Sequence, residues 1–342
     1  MKHVDVLIVG AGPAGSVCGY LLKKAGVDCL VVDHATFPRD KVCGGGLSSK
    51  TCRLLDQLVP GLHYDYNTVG HIRLSIDNKA HCEFDTKEPL RIVQRKHFDH
   101  DLLKQYISVG GAFQQAAFER FEEQNGQIVA RLKSGEEIAC RYLVGADGSN
   151  SRVRRCLKPD TERGILAMEQ YVEKSGDNGV DVVLSQSYDT GGYFFRFPNK
   201  AFDVVGFGDV STTPEKFRKV MQLNNIADGK ARGAFIYLSN DYPMHDHVIL
   251  IGDAGGFANR CTCEGLFDAF RTARNAAEAI TSGRSFREVN APIFRKMKKE
   301  ERLGRVFFSS FGFAILRWLC GHPGLVRWAF EAKMKRETFF KK

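Results

Sequence analysis

The chain of 342 residues is 43% hydrophobic and 26% charged, with 34 Gly and 10 Pro, as expected for one large globular domain or two intimate ones. This composition excludes collagen-like, low-complexity and disordered chains. The net charge of +9 falls on residues 291–342, which hold 13 Lys and Arg against 4 Asp and Glu, so we expect no nucleic-acid partner for the folded body.

The ten cysteines include no C-x-x-C pair, and several lie in apolar or Gly-rich runs, as reduced thiols do. We therefore expect neither a metal site nor a disulfide scaffold. Met1–Gly10 shows no cleavage-like signal, and the longest apolar run, Val306–Leu316, falls short of the roughly 18 residues of a membrane span. These features predict a cytoplasmic location, with membrane association left open.

The chain begins with a β-α-β pattern. Val4–Val9 predicts a buried strand, Pro13–Lys24 a helix and Asp28–Asp33 a second strand. The turn between the first strand and the helix, Gly10–Gly15, fits G-x-G-x-x-G in the context that the motif requires.

Each residue of this turn has a predicted role in binding a dinucleotide. Gly10 permits the tight turn, Gly12 admits the pyrophosphate, and Gly15 lets the helix pack closely on the strand. Pro13 and Ala14 open the helix, whose N-terminus favours an anion. Asp33, at the end of the second strand, can accept hydrogen bonds from ribose hydroxyls.

The middle of the chain alternates between strand patterns and returning glycine motifs. One strand over Arg141–Val144 leads to Asp147-Gly148, and another over Val248–Ile251 leads to Gly252-Asp253 and a helix over Glu264–Ile280. Further β-like segments are Ile72–Ile76, Ile128–Leu132, Val182–Leu184, Tyr193–Phe197, Val204–Phe207 and Ala234–Leu238.

These patterns predict an α/β protein with a Rossmann-like dinucleotide-binding domain assembled from distant segments. A mainly antiparallel β domain is inserted into it, and a helical segment follows. We place the binding domain at 1–70, 91–160 and 244–285, the inserted substrate domain at 71–90 and 161–243, and basic amphipathic helices at 286–342.

Two later motifs identify the dinucleotide by resemblance. Tyr142–Ser149 resembles the "DG" motif of the FAD-dependent aromatic hydroxylase superfamily, and Val248–Gly256 resembles its "GD" motif. The resemblance implies that Asp147, Gly148, Asp253 and Gly256 bind FAD. It also implies that the helix beginning near Gly265 and Leu266 aims its N-terminus at the flavin, where partial positive charge stabilises the reduced anion.

Within that superfamily the chain resembles the geranylgeranyl reductase family. The resemblance covers roughly residues 3–285 and rests on Phe37–Leu47, Gln94–Asp99, Tyr193–Pro198 and Gly252–Leu266. It implies that Arg39, Cys43, Gly44 and Arg95 contact the cofactor and that Tyr193, Phe195 and Phe197 contact the substrate. Phe195 stands where the family usually has Trp, and Arg260, Cys261 and Cys263 replace its Pro, Leu and Gly.

The implied reaction is hydride transfer from reduced FAD to a C=C bond of a prenyl chain or similar hydrophobic substrate. Cys43 is a candidate proton donor or positioning residue, or a small residue packed under its loop. Cys261 and Cys263 form either a redox pair or a local substitution. No separate NAD(P)H domain is evident, so the electron donor is NAD(P)H bound transiently or a ferredoxin.

A monooxygenase acting through a C4a-hydroperoxyflavin is the main alternative, because the same fold carries both chemistries. The W-x-W-x-I-P string of flavin halogenases is absent, since Trp occurs only at 318 and 328. A non-catalytic FAD-binding regulator or an electron-transfer subunit is the third interpretation.

The C-terminal segment predicts two short amphipathic helices, over the apolar run Val306–Leu316 and over Leu325–Lys335, separated by Gly321–Gly324. Trp318, Trp328 and the flanking cations fit contact with a membrane surface. The alternative is a helical pair that covers the FAD domain, with a solvated basic tip.

Overall fold

The computed structural model describes residues 1–159, 164–188 and 192–336. The predicted boundary between 160 and 161 and the last residues of the predicted C-terminal segment, 337–342, lie outside the described residues. Within the described residues the chain folds into two β-sheets with helices packed on them.

The strands, in chain order, are β1 Lys2–Val9, β2 Cys29–Asp33, β3 Gly46–Leu47, β4 Asn67–Ile76, β5 Ala80–Ile92, β6 Ala112–Gln115, β7 Phe118–Gln124, β8 Gln127–Leu132, β9 Glu137–Gly145, β10 Gly164–Val172, β11 Gly179–Leu184, β12 Tyr193–Pro198, β13 Asp203–Asp209, β14 Arg232–Tyr237 and β15 Val248–Leu250. The α-helices are α1 Pro13–Lys24, α2 Ser49–Leu58, α3 Arg95–Ser108, α4 Arg152–Leu157, α5 Pro214–Leu223, α6 Leu266–Ser282, α7 Phe286–Val289, α8 Ala291–Phe307, α9 Ser310–Cys320 and α10 Pro323–Arg336.

The first sheet contains the glycine motifs and has the order β6-β2-β1-β9-β8-β7, with β15 also paired to β9. The pairs β6–β2, β2–β1, β1–β9 and β9–β15 are parallel, whereas β7, β8 and β9 pair antiparallel. Because parallel strands are covered on both faces, every residue of β2 is buried. The carboxyl ends of β1, β2, β9 and β15 therefore meet at one edge, where ligands bind in such sheets.

The second sheet has the order β14-β10-β13-β12-β11-β4-β5-β3. Its neighbours are antiparallel except for β11 and β4, which are parallel. Helix α5 covers one face through Phe217, Val220 and Met221. The predicted fold class, a binding domain from distant segments with an inserted and mainly antiparallel sheet, is therefore confirmed.

The second sheet takes more of the chain than the sequence patterns indicated. It includes β3, inside the segment 1–70 that we assigned to the binding domain, and β4 begins at Asn67 rather than 71. A two-residue strand in a Gly-rich loop has no periodicity that would reveal it, so only its pairing with Arg91 and Ile92 identifies it.

The described part of the C-terminal segment forms four helices, α7 to α10, rather than the two predicted. The apolar run is broken at Phe308-Ser309, where the Ser309 hydroxyl accepts a hydrogen bond from the Gly312 N–H at 3.1 Å and caps α9. Helix α9 packs on the second sheet through Phe313 and Cys320. In the described residues no single helix is long and apolar enough to span a membrane. Helices α8 and α9 have the required length and apolarity only when they are taken together, and the pair is bent by 82°.

Tyr106 ties helix α3 to the edge of the first sheet. It is fully buried, and its hydroxyl lies 2.9 Å from the carbonyl of Cys29 and 3.0 Å from that of Ala112. We predict that Tyr106→Phe lowers the free energy of unfolding by about 1–2 kcal/mol, because the hydrogen bond that the buried hydroxyl donates to these carbonyls is lost. Urea unfolding measures this; an unchanged midpoint would show that the hydroxyl contributes nothing.

Candidate FAD site

The glycine turn after β1 has a backbone that only glycine fits. Gly10 has a φ of +107°, and a Cβ there would lie 2.3 Å from the Ala146 carbonyl oxygen. A Cβ on Gly15 would lie 1.8 Å from the Gly10 carbonyl oxygen. Gly12 precedes α1, in which Pro13 is the first residue, so the free N–H groups of the helix face the turn.

Asp33 is fixed to this turn. One of its carboxylate oxygens accepts a hydrogen bond from the Ala11 N–H at 2.7 Å, and the other accepts one from the Ala35 N–H at 2.9 Å. The side chain is 7% exposed. Its remaining lone pairs are thereby held beside the glycines, at the position that a ribose requires.

Asp147 follows β9 at the same edge of the sheet. Its Oδ2 accepts hydrogen bonds from the N–H groups of Arg152 at 2.7 Å and Val153 at 3.3 Å. Its Oδ1 is buried and has no hydrogen-bond partner in the described residues. Burial raises the pKa of this carboxyl. An orphaned buried acceptor of this kind fits a bound group that donates a hydrogen bond.

Asp253 follows β15 and lies against the start of α6. The backbone around it turns through Gly252 and Gly256, which have φ values of 56° and 72°. A Cβ on Gly265 would lie 3.1 Å from an Asp253 carboxylate oxygen, so glycine at 265 leaves room for it. Leu266 then begins the helix, and the acid and the helix N-terminus face one space.

One side chain that the sequence motifs did not indicate, that of Arg154, joins the last two motifs. Arg154 is buried and donates to the carbonyls of Ser149 at 2.6 Å and Ala254 at 3.0 Å. Its guanidinium lies 3.6 Å from the centre of the Tyr237 ring in the second sheet. One cation therefore connects both motif loops to the inserted sheet, at a position with no motif to reveal it.

The two predicted cofactor arginines meet on a carboxylate that was not predicted. Arg95 makes a double contact with Asp99, at 2.7 and 2.9 Å, and Arg39 lies 3.3 Å from the same carboxylate. Asp99 is fully buried. A Cβ on Gly12 would lie 3.3 Å from the Arg39 guanidinium, which places Arg39 over the glycine turn. The neighbouring His97 and His100 lie on the helix surface and do not join the cluster.

The loop with Cys43 packs against an aromatic face of β12. A Cβ on Gly44 would lie 2.4 Å from the Phe197 ring and 2.9 Å from the Phe195 ring. Tyr193, Phe195 and Phe197 alternate along the strand and share one face, with ring centres 6.3 and 4.9 Å apart. The structure thus brings the three predicted substrate residues to the predicted Cys43–Gly44 loop.

Charged groups surround Cys43 on two sides. Burial opposes the charge on Arg95, but Asp99 and the Cys43 thiol beside it raise the pKa of the guanidinium. Glu169 faces the Cys43 backbone N–H and lies 2.9 Å from Arg232. Burial raises the pKa of Glu169, and Arg232 offsets part of that effect. The Glu169–Arg232 pair comes from β10 and β14, so no local pattern predicted it.

A second buried ion pair joins α2 to the start of α6. Glu264 lies 2.8 Å from the Lys50 ammonium and accepts hydrogen bonds from the hydroxyls of Ser48 at 2.5 Å and Thr51 at 3.0 Å. Burial opposes ionisation of Glu264, but the Lys50 charge outweighs it and lowers the pKa. The hydroxyl of Tyr193 donates to the Thr262 carbonyl at 2.5 Å, so the inserted sheet also reaches this segment.

The two unusual cysteines near this segment are free thiols. Cys263 has a φ of 54°, in the left-handed region, which explains why the resembling family has glycine there. Burial raises the pKa of Cys263 to about 12 and also raises that of Cys261, so both thiols are protonated at neutral pH.

The residues at this edge fit FAD. The turn has room for a pyrophosphate, Asp33 is placed where it could accept ribose hydroxyls, and Asp147 has an unsatisfied acceptor. The Asp253 carboxylate lies beside the Gly265 backbone at the start of α6, where it can accept hydrogen bonds from further hydroxyls of the cofactor. Acceptors at the ends of β2, β9 and β15 match a dinucleotide with hydroxyls on both sides of its pyrophosphate.

Comparison with known proteins establishes the class. The FAD binding domain family matches residues 3–196, and the chain belongs to this family of FAD-dependent oxidoreductases. An uncharacterised protein of Methanosarcina barkeri is 30% identical over 89% of this chain and 80% of its own length. The digeranylgeranylglycerophospholipid reductase 3 of Methanosphaera stadtmanae is 26% identical over 91% of this chain and 88% of its own length.

Solved structures share the fold. A geranylgeranyl bacteriochlorophyll reductase-like protein of Thermoplasma acidophilum has a TM-score of 0.73 at 20% identity and covers 98% of this chain and 88% of its own. A flavin-dependent brominase has a TM-score of 0.76 at 19% identity and covers 96% and 92%. The resemblance to geranylgeranyl reductases is thus confirmed, while the shared fold alone leaves the reaction open.

The Glu264–Lys50 pair predicts a pH dependence of stability. Because the folded pKa of Glu264 is lowered, its stabilisation is present above the unfolded value near 4.3 and is lost as pH falls through the folded value. We predict that Glu264→Gln costs about 3 kcal/mol at neutral pH and that the difference from wild type shrinks below about pH 4.

Urea unfolding across this pH range measures the effect, and Glu137→Gln, at an exposed glutamate, is the matched control. A constant difference between Glu264→Gln and wild type down to the lowest pH would contradict the prediction.

The left-handed backbone at Cys263 predicts a stabilising substitution. We expect Cys263→Gly to raise the free energy of unfolding by about 0.5–1 kcal/mol, because glycine adopts this φ without strain. Cys261→Gly serves as the control and should lower it, since Cys261 has no positive φ. Thermal unfolding of the two variants decides, and a loss of stability in both would count against the strain at 263.

Proposed function

We propose that this chain transfers hydride from reduced FAD to a C=C bond of a prenyl chain or similar hydrophobic substrate. The observation that carries the proposal is the closure of the aromatic face of β12 on the Cys43–Gly44 loop. That face offers a long apolar substrate contact area and excludes water from the space beside the cofactor residues.

The aromatic face is bounded at Tyr193. Tyr193 pairs with Leu184, and Leu184 pairs with Ile76 on the next strand. Leu184 and Ile76 are buried under α9 with Phe313 and Cys320, so they belong to the core. The partly exposed residues of this row that remain for a hydrophobic substrate are Tyr193, Phe195 and Phe197.

Bound FAD, when reduced, supplies a hydride from its N5 atom. The residues of this chain supply the rest. Phe195 and Phe197 hold the alkene flat, and the Cys43 thiol gives a proton to the carbon that does not receive the hydride. Arg95 lies beside this sulfur, and Cys43 regains its proton from water.

Proteins similar to this chain support the substrate class. Besides the Methanosphaera reductase, the relatives include the chloroplastic geranylgeranyl diphosphate reductase of Oryza sativa subsp. japonica, 26% identical over 82% of this chain and 67% of its own length. The electron donor, NAD(P)H or a ferredoxin, stays a prediction.

A monooxygenase is the second candidate, because the brominase has the same fold and reduced flavins react with oxygen. The two candidates differ in what reoxidises the flavin. An alkene reductase passes its electrons to the substrate without oxygen, whereas a monooxygenase requires oxygen.

We predict that the holoprotein, reduced anaerobically, is reoxidised by geranylgeranyl diphosphate and yields a product with a saturated bond. Stopped-flow absorbance of the flavin and mass spectrometry of the lipid measure the two halves of the reaction. Cys43→Ser should slow this reoxidation by about 100-fold, because a hydroxyl is a weaker acid than a thiol.

Cys156→Ser, at an exposed cysteine, is the matched control and should react like wild type. Reoxidation that occurs only with oxygen, with an oxygen atom in the product, would replace this proposal by the monooxygenase.

A further inference from the structure

Helix α9 is apolar on two opposite sides. Its inner side packs on the second sheet through Phe313 and Cys320. Its outer side presents Phe311, Ile315 and Trp318, which are 69%, 41% and 60% exposed. These residues are spaced at i, i+4 and i+7, so they form one stripe along the helix.

Helix α10 continues this exposed apolar surface. It follows α9 after a two-residue turn and exposes Leu325 and Trp328, at 46% and 67%. We call these five side chains, Phe311, Ile315, Trp318, Leu325 and Trp328, the C-terminal apolar surface. A contiguous set of large exposed apolar side chains on consecutive helices indicates a binding surface rather than chance exposure.

Positive charge borders the surface. Residues 291–336 carry 11 Lys and Arg against 3 Asp and Glu. On α8, Lys299 and Arg302 are exposed on the same side as Leu303 and Val306, which are 62% and 52% exposed. On α10, Arg327 is exposed next to Trp328. The exposed side of α8 thus combines cations with apolar side chains.

We propose that the C-terminal apolar surface and its bordering cations bind the interface of a lipid bilayer that contains anionic lipid. Trp side chains favour the level of the lipid headgroups, and Lys and Arg are attracted to anionic headgroups. The described helices are too short or too polar to span a bilayer singly, so they lie in the plane of the interface. This inference does not depend on the proposed reaction.

The charge favours a membrane over a second copy of the chain. Two copies that met through this surface would bring their like-charged borders together, and like charges across an interface cost binding energy. An anionic bilayer instead complements the charge and accepts the apolar side chains in the same contact. Self-association through this surface is therefore an outcome of the test that would overturn the proposal.

The chain provides its own reporter. Its only two tryptophans, Trp318 and Trp328, both lie in the proposed contact. We expect their emission in the holoprotein to shift to shorter wavelength when vesicles of phosphatidylcholine with about one quarter phosphatidylglycerol are added. Brominated phosphatidylcholine in the same vesicles should quench this emission, whereas vesicles of phosphatidylcholine alone should bind at least about tenfold more weakly.

Vesicle flotation compares two variants with their controls. The triple variant Lys299→Glu, Arg302→Glu, Arg327→Glu should lower vesicle affinity by a factor on the order of 100 or more. This corresponds to about fivefold or more for each of the three substituted cations. The control Lys133→Glu, Lys219→Glu, Lys230→Glu makes the same charge change at exposed positions elsewhere and should lose far less. Trp318→Ala with Trp328→Ala should lose about tenfold or more, while Val210→Ala, 75% exposed elsewhere, should bind like wild type.

Flavin content and thermal unfolding show whether each variant is folded. The proposal is overturned if wild type fails to bind the anionic vesicles, or if the control triple variant loses as much affinity as the C-terminal one. It is also overturned if sedimentation shows that the chain forms a dimer instead of binding vesicles, and if the two Trp substitutions abolish that dimer. Turnover of the prenyl substrate is measured separately, so failure of the reaction leaves this test intact.

Discussion

The close approach of three strand ends around Gly10 is the constraint on which the site depends. The Gly10 N–H donates to the Val32 carbonyl at 2.7 Å, and the Ala146 N–H donates to the Val9 carbonyl at 2.7 Å. Any side chain at position 10 would collide with Ala146. This approach sets Asp33 and Asp147 on either side of the glycine turn, so the backbone rather than the acids fixes the geometry of the cofactor site.

The second sheet is joined to the loops at the edge of the first sheet by a few polar contacts, which come from different elements. Arg154 reaches the Tyr237 ring, Tyr193 donates to the Thr262 carbonyl, and Glu169 faces the Cys43 backbone. Each of them links a motif loop to a strand of the second sheet. The aromatic face of β12 is therefore held to the candidate cofactor residues by contacts within the site, and a change in one of these contacts alters the candidate site and the position of the sheet together.

The sequence predicted the first β-α-β unit well, because its signals are local. Helix α1 spans the predicted Pro13–Lys24, and the glycines and Asp33 lie where the β-α-β pattern indicated. Asp99, which joins Arg39 to Arg95, was not predicted, since its function arises only from contacts across the fold. The same holds for the Glu264–Lys50 pair, whose members are far apart in the chain.

Two other differences between the sequence-based expectations and the structure have local causes. The residues responsible are present in the sequence, but the sequence patterns do not show their effect. The replacement of a family glycine by Cys263 was visible, yet only the φ of 54° shows what the glycine would do there. The helix predicted over Val306–Leu316 is divided because Ser309 caps α9 inside the apolar run, so that Val306 and Phe307 belong to α8. Capping competes with periodicity at such points, and periodicity alone gives the wrong number of helices.

The order in which a ribosome releases the chain has a consequence for this sheet. Strand β9 lies between β1, which is made earlier than β9, and β15, which appears only at Val248–Leu250. The α1 contact with α6 waits longer still, until Ser282 has emerged. The nascent chain must therefore carry the apolar strands β1 and β2 without their final cover for most of its synthesis. Cofactor loading is then a late event in the life of the molecule, and cells short of FAD would accumulate a chain exposed to chaperones and proteases.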